Sequence, residues 1–175
     1  IALAPCSPFS VTPQLMRATA EISNKSGVAL HTHLAETEDE VAFCLEKYGV
    51  RPLEFLDDCD WLTPNAWFAH SIHLTQQEIS LLGARQCSVS HCPSSNMVLS
   101  SGVCKVKELT AAGVSVGLAV DGSASNDHSN LIQETRQAFL LQRLFNSDFT
   151  YLDALRMATL GGSEVLSRPV LGHLN

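Results

Sequence analysis

No run of apolar residues in this 175-residue chain is long enough to span a bilayer, which argues against a membrane partner. Positive charge is scarce: 11 Lys and Arg stand against 18 Asp and Glu, and the formal net charge of −7 argues against a polyanion such as nucleic acid. A small, roughly neutral ligand fits that balance better. The six cysteines (Cys6, Cys44, Cys59, Cys87, Cys92, Cys104) include no C-x-x-C pair, so neither a zinc knuckle nor a disulfide framework is expected. Free thiols suit a reducing cytoplasm. No charge run or Gly/Ser-rich linker marks a domain boundary. The start, Ile1-Ala2-Leu3-Ala4-Pro5, has no initiator Met, basic leader or cleavage site, so no targeting segment is expected and the chain reads as starting mid-fold. What is present, 45% hydrophobic and 17% charged residues, suffices for one domain with a sizeable core.

Short apolar runs alternate with helical patterns along the whole chain. Residues 1–4 read as the end of a strand, and Thr12-Pro13 as N-cap and first helical residue of a helix reaching Gly27. A second strand, Val28 to His33, is followed by acids in a first helical turn (Thr37-Glu38-Asp39-Glu40) and a stop at Gly49. A short helix at 52–56 precedes a third strand, Ala66 to Ala69, ending on His70. Thr75 and Glu78 form a candidate capping box, Cys87 to Ser90 a fourth strand ending at His91, and Ser94-Ser95-Asn96 a polar loop. A helix near 103–112 and a fifth strand at 114–120 run into Asp121, and two helices at about 131–145 and 151–166 finish the chain. Strands alternating with helices at this spacing predict an α/β fold with a parallel sheet and right-handed crossovers.

The chemistry collects at strand ends. Strand periodicity places His31 and His33 on one face and Leu30, Thr32 and Leu34 on the other. His33, His70, His91 and Asp121 each stand at the C-terminal end of a predicted strand, and in a parallel array those ends share one face, where such folds build their sites. Each histidine alone reads more readily as a hydrogen-bonded core residue, and Asp121 before Gly122 could be only a turn residue. Together, with Glu36 close behind His33, they make a candidate site. Imidazole and carboxylate suit Zn²⁺ or Fe²⁺, which lowers the pKa of a bound water from ~15.7 towards ~7. Asp121 is then placed to take a proton and Glu36 to deliver one as general acid. The H-x-E with P-C-x-x-C zinc signature of another deaminase fold is absent.

The strings His33-Leu34-Ala35-Glu36, Ala69-His70-Ser71-Ile72-His73-Leu74, Ser90-His91-Cys92-Pro93-Ser94-Ser95-Asn96 and Val120-Asp121-Gly122-Ser123-Ala124-Ser125-Asn126 resemble the amidohydrolase superfamily, in its heterocycle-deaminating branch. The order and spacing match over nearly the whole chain. The resemblance implies a metal-dependent hydrolase acting on C–N bonds, built on a (β/α)8 TIM barrel of which this chain is the C-terminal segment, about strands four to eight. It implies His33 and Asp121 as metal ligands, with Glu36, His70 and Asp121 catalytic: Glu36 as proton shuttle, His70 orienting hydroxide, Asp121 as base. His73 is then structural or a support to the residues of the site.

Within that branch, Leu3-Ala4-Pro5-Cys6-Ser7-Pro8-Phe9-Ser10 and Ala158-Thr159-Leu160-Gly161-Gly162 are similar to members that deaminate 8-oxoguanine, with hydroxyatrazine-type hydrolases as close relatives. The implied substrate is an aminated purine, first 8-oxoguanine giving urate and ammonia, with an s-triazine as the alternative. Guanine-specific members carry an Arg in the loop after strand four, and this chain has none there, which makes Cys6, Ser7 and Phe9 candidates for base recognition. His91, Asn96 and Ser123 are further substrate-binding candidates. Two ligands of the superfamily come from a His-x-His on its first strand. His31-Thr32-His33 is instead strand five, because only strands six to eight follow it. Residues 1–175 are therefore expected to be a partial barrel domain, lacking the N-terminal strands and, after Gly172-His173-Leu174-Asn175, a C-terminal β-sandwich. A homo-oligomer is expected of the full-length enzyme. A non-catalytic barrel relative would have lost ligands, whereas His33, Glu36, His70 and Asp121 are all in place.

Overall fold

A computed structural model of the chain describes residues 1–173; Leu174 and Asn175, at the predicted junction with a β-sandwich, lie outside the described residues. Five parallel strands form one sheet in sequential order: β1 (Ala2–Leu3), β2 (Ala29–Leu34), β3 (Ala66–His70), β4 (Ser88–His91) and β5 (Ser115–Leu118). Sequential parallel order requires a crossover after every strand. The crossovers are α1 (Pro13–Ser26) after β1, α2 (Glu38–Tyr48) and α3 (Pro52–Asp57) after β2, α4 (Gln76–Ala84) after β3, and α5 (Pro93–Val98) and α6 (Val106–Ala111) after β4. Then α7 (Leu131–Arg143), α8 (Tyr151–Arg156), a π turn (Met157–Gly161) and α9 (Gly162–Val165) follow β5. This is the strand order of a (β/α)8 barrel segment.

Helix boundaries follow local chemistry. The Thr12 hydroxyl accepts from Leu15 N, Pro13 opens α1, and Gly27 at φ 69° closes it in the left-handed conformation that costs glycine nothing. Thr75 and Glu78 form the reciprocal capping box predicted for α4. The core lies between strands and helices, with Leu30, Leu34, Leu53, Leu56, Phe68 and Leu82 fully buried. Leu30, Thr32 and Leu34 are buried on one face of β2 while Ala29, His31 and His33 are half-buried on the other, the alternation the sequence predicts.

Three expectations are corrected. The polar stretch Ser94-Ser95-Asn96 is not a loop but part of α5, started by Pro93 at its first position and an Asn96 N to Cys92 O bond of 3.0 Å. The fifth strand ends at Leu118, so Ala119 and Val120 carry the chain on to Asp121. The last helix is interrupted by the π turn, because Gly161 passes so close to β5 that a Cβ there would stand 2.3 Å from the Val116 carbonyl oxygen. Among the described residues no helix is long and apolar enough to cross a membrane.

Candidate active site

Four of the nine left-handed non-glycine residues among the described residues stand at or just beyond the C-terminal ends of the strands. Ala35 (φ 47°), His70 (φ 66°), Ser71 (φ 53°) and Asp121 (φ 64°) are left-handed without being glycine, at a cost of order 1 kcal/mol or more each. Each turn is held by tertiary bonds. The buried Glu40 carboxylate accepts the Ala35 and Glu36 amides, each at 3.0 Å, which fixes the turn that brings Glu36 back over the sheet. The Ser101 hydroxyl then donates to Glu36 Oε1 at 3.4 Å. Ser71 N donates to Leu34 O at 2.9 Å, tying the end of β3 to β2. The loop after Asp121 is locked by Asn126, which donates to Val120 O (2.9 Å) and to Glu134 Oε1 (2.8 Å), and Glu134 also accepts Ser94 N (3.1 Å).

These turns bring four side chains together. His33 Nε2 lies 4.0 Å from Asp121 Oδ1, and His70 Nε2 lies 3.5 Å from Glu36 Oε2 and 3.7 Å from Asp121 Oδ2. The His33 and His70 rings stack at 5.3 Å. His33 Nδ1 sits 2.6 Å from the Cys6 carbonyl, an acceptor only, so Nδ1 carries the proton and Nε2 presents its lone pair to the cluster. Burial pushes His70 down to about 4, with Asp121 opposing and the other histidines adding to the shift; the ring is neutral at physiological pH. The two carboxylates diverge. Burial raises the Glu36 pKa, and Asp121 adds to the rise against the opposing pull of His33 and Ser101. Burial acts the same way on Asp121, but the Ser95 hydroxyl at 2.5 Å and the Gly122 amide, with a smaller contribution from the His70 and His33 imidazoles, outweigh it and hold Asp121 below the usual carboxylate range. Two carboxylates driven apart in one site are able to serve as an acid and a base.

The predicted recognition loop reaches the cluster: Cys6, Ser7 and Phe9 line a cleft of about 350 Å³ with His33 and Glu36, a volume typical of small-molecule sites. Phe9 is half exposed and rests on Phe43 at 4.8 Å. A second cleft, of about 220 Å³, borders His31, His33, Trp67, Ser90 and Asp121. The other substrate candidates are differently placed. Asn96 is buried behind His70, its Nδ2 2.8 Å from His70 Nδ1. His91 is buried, its Nε2 3.4 Å from Gln142 Nε2. Ser123 is exposed on the loop beyond Asp121. His31 bonds Trp67 O through Nδ1 at 3.2 Å and stacks on that indole. His73 Nε2 lies 2.8 Å from the Ser101 carbonyl oxygen.

Sequence reasoning did not single out Glu40, Ser95, Ser101, Ser125 or Glu134. Ser95 Oγ stands 2.8 Å from Ser125 Oγ while bonding Asp121. Glu40 was visible only as one of three first-turn acids; its position four residues after Glu36 was the available signal. The residues present fit a divalent metal. His33, His70 and Asp121 each offer one ligand atom, all within 4.8 Å of one another, and the free His33 Nε2 and ionised Asp121 are a zinc-type donor set.

Comparisons agree with this geometry. The amidohydrolase family model matches residues 1–175. An 8-oxoguanine deaminase of Pseudomonas aeruginosa is 54% identical over 99% of this chain and 39% of its own length. A 5′-deoxyadenosine deaminase of Methanothermobacter thermautotrophicus is 41% identical over 95% of the chain and 40% of its own length. Among solved structures, a zinc-bound adenosine deaminase of Xanthomonas campestris superposes with a TM-score of 0.94 at 34% identity, covering 99% of this chain and 40% of that one. The zinc complex of an atrazine chlorohydrolase from Arthrobacter aurescens gives 0.93 at 32%, covering 98% and 39%. The chain thus spans about two fifths of the length of these relatives. Matched along its whole length by one family model, and carrying its polar cluster at the mouth of a parallel sheet, the chain belongs to the amidohydrolase family.

Proposed function

We propose that the full-length protein is a metal-dependent hydrolase that deaminates an aminated purine, with 8-oxoguanine giving urate and ammonia as its reaction. The observation that carries the reading is the convergence of His33, Glu36, His70 and Asp121 at one end of the sheet, with the two carboxylates driven to opposite proton affinities. The 54% identity to an 8-oxoguanine deaminase supports the substrate.

His33 and Asp121 would hold the metal, zinc in preference to iron, which would supply an activated water at neutral pH. Asp121, kept ionised by Ser95, takes the proton released as that water adds to the ring carbon bearing the amine. Glu36, whose burial favours its protonated form, gives its proton to the adjacent ring nitrogen; Asp121 passes the proton taken from water to the departing amine, and as the C–N bond breaks and ammonia leaves, the hydroxyl proton of the addition product returns to Glu36. His70 stands between the two carboxylates and orients the nucleophile by donation from Nε2. Cys6, Ser7 and Phe9 wall the cleft next to Glu36 and contact the base.

A triazine reading keeps the chemistry and exchanges the leaving group for an alkylamine; it is supported by the likeness to atrazine chlorohydrolase. Steady-state rates of the full-length enzyme on 8-oxoguanine and on hydroxyatrazine separate the two. Urate formation with little triazine turnover is expected, and the reverse ranking would replace the purine with the triazine.

Residues 1–175 are, on this proposal, part of the barrel domain, the first-strand ligands and a β-sandwich being supplied by other parts of the full-length chain. A cytoplasmic location is supported by the six free cysteines, and a homo-oligomer by the exposed apolar residues Ile132, Tyr151, Leu152 and Leu155 of α7 and α8.

A further inference from the structure

His70 is the least accessible member of the cluster, and what its ring can do depends on which nitrogen carries its single proton. Nε2 faces Glu36 Oε2 at 3.5 Å and Asp121 Oδ2 at 3.7 Å, and has no hydrogen-bond partner within reach. Nδ1 faces the Asn96 side chain at 2.8 Å. Asn96 is itself buried, on α5, with its backbone tied at both ends by Asn96 N to Cys92 O (3.0 Å) and Ser101 N to Asn96 O (2.9 Å). Its amide has two orientations. With Nδ2 toward the ring, the imidazole must accept at Nδ1 and carry its proton on Nε2, and the group left without a partner is the carbonyl Oδ1. With the amide turned over, Oδ1 would accept from Nδ1–H, the NH2 group would fill the partnerless position, and a bare Nε2 lone pair would confront two carboxylates.

The first arrangement is the better one on both counts. A buried amide hydrogen without an acceptor is rarer and costlier than an under-used carbonyl oxygen. A donor between two carboxylates is attracted to both, whereas a lone pair there is repelled by both.

We propose that Asn96 is a positioning residue that fixes His70 as the Nε2–H tautomer. The ring is thereby a hydrogen-bond donor to whatever lies between Glu36 and Asp121, and not a third metal ligand. This extends the proposed function by assigning the part of α5 that the reaction needs, and it removes Asn96 from direct contact with substrate. Ser94, Ser95 and Asn96 then form one device: Ser94 docks α5 on Glu134, Ser95 holds Asp121, and Asn96 holds His70.

The test is ¹⁵N NMR of the full-length protein labelled at histidine nitrogens, with His70 assigned by its loss in His70→Gln. Wild type is expected to show a protonated Nε2 and a bare Nδ1. In Asn96→Asp, whose carboxylate can only accept, a proton is expected on Nδ1. The same variant should lower kcat by ~10²-fold with KM changed less than about threefold, because a nucleophile-orienting bond is lost while the base-recognition loop is intact. A bare Nε2 in the wild-type spectrum would overturn the inference without reference to any variant's folding, as would an unchanged Nδ1 in Asn96→Asp. The expected tautomer in a protein that releases no ammonia from purines would sink the substrate assignment and leave the role of Asn96 standing.

Discussion

Glu36, after β2, and Asp121, after β5, are both acidic side chains, yet their surroundings shift their proton affinities in opposite directions, and the proposed function gives them opposite tasks. Replacing either should therefore remove a general acid or base. In the full-length enzyme, Glu36→Gln and Asp121→Asn are each expected to cut turnover by at least ~10²-fold, and only Asp121→Asn to lower the metal content as well, read by steady-state rates alongside elemental analysis. A near-normal rate in either variant removes that residue from the mechanism. Two other buried groups make opposing contributions to the pH dependence of stability. Burial raises Glu40 from 4.5 to about 7, partly offset by its bonds to the Ala35 and Glu36 amides; the folded state binds this proton more tightly than the unfolded chain, so stability falls as pH rises from about 4.5 to about 7. Burial lowers His91 from 6.5 to about 3, so the unfolded chain binds that proton more tightly and stability falls as pH drops from about 6.5 toward 3. Thermal melts of Glu40→Gln should lose the first slope and keep the second. A slope between pH 5 and 7 identical to wild type would show that Glu40 is not the group responsible.

At the scale of elements, whatever is set within a few residues was legible. Thr12-Pro13 with Gly27, and Thr75 with Glu78, announce helix ends because capping is a local bond. The placement of His33 and His70 at strand ends followed from period-two alternation and turn chemistry, whereas Asp121 stands three residues beyond the end of β5. Helix α5 escaped because Ser94, Ser95 and Asn96 have poor intrinsic helix preference, and their stabilisation comes from Glu134, Asp121 and His70, which are 40, 26 and 26 residues away in sequence. The π turn escaped for a similar reason: nothing near Gly161 in sequence shows that Val116 lies against it. Gly161→Ala is expected to destabilise by roughly 2 kcal/mol or more, because the added methyl meets backbone that has no rotamer to give way. Gly162, whose Cβ would be 3.8 Å from its nearest neighbour, should accept alanine far more easily. Comparing the two melting temperatures isolates the close approach from general loss of glycine.

At the scale of the whole molecule, five parallel strands in sequential order leave β1 and β5 as edges, with unpaired backbone groups along each. Among the described residues the metal-competent group is His33, His70 and Asp121, and with His70 committed to donation only two ligands remain, fewer than the three or more of a catalytic zinc site. Residues 1–175 expressed alone are therefore expected to bind zinc weakly, to associate, and to be inactive; a monodisperse, zinc-replete, active sample would refute the partial-domain proposal. On the proposed function, the cluster works through a metal held by His33 and Asp121. Ammonia release from 8-oxoguanine by the full-length enzyme is to be measured before chelation, after it, and after zinc is returned. Loss of activity with the metal and recovery with zinc is the predicted result, and undiminished turnover in a protein shown to be metal-free would contradict it.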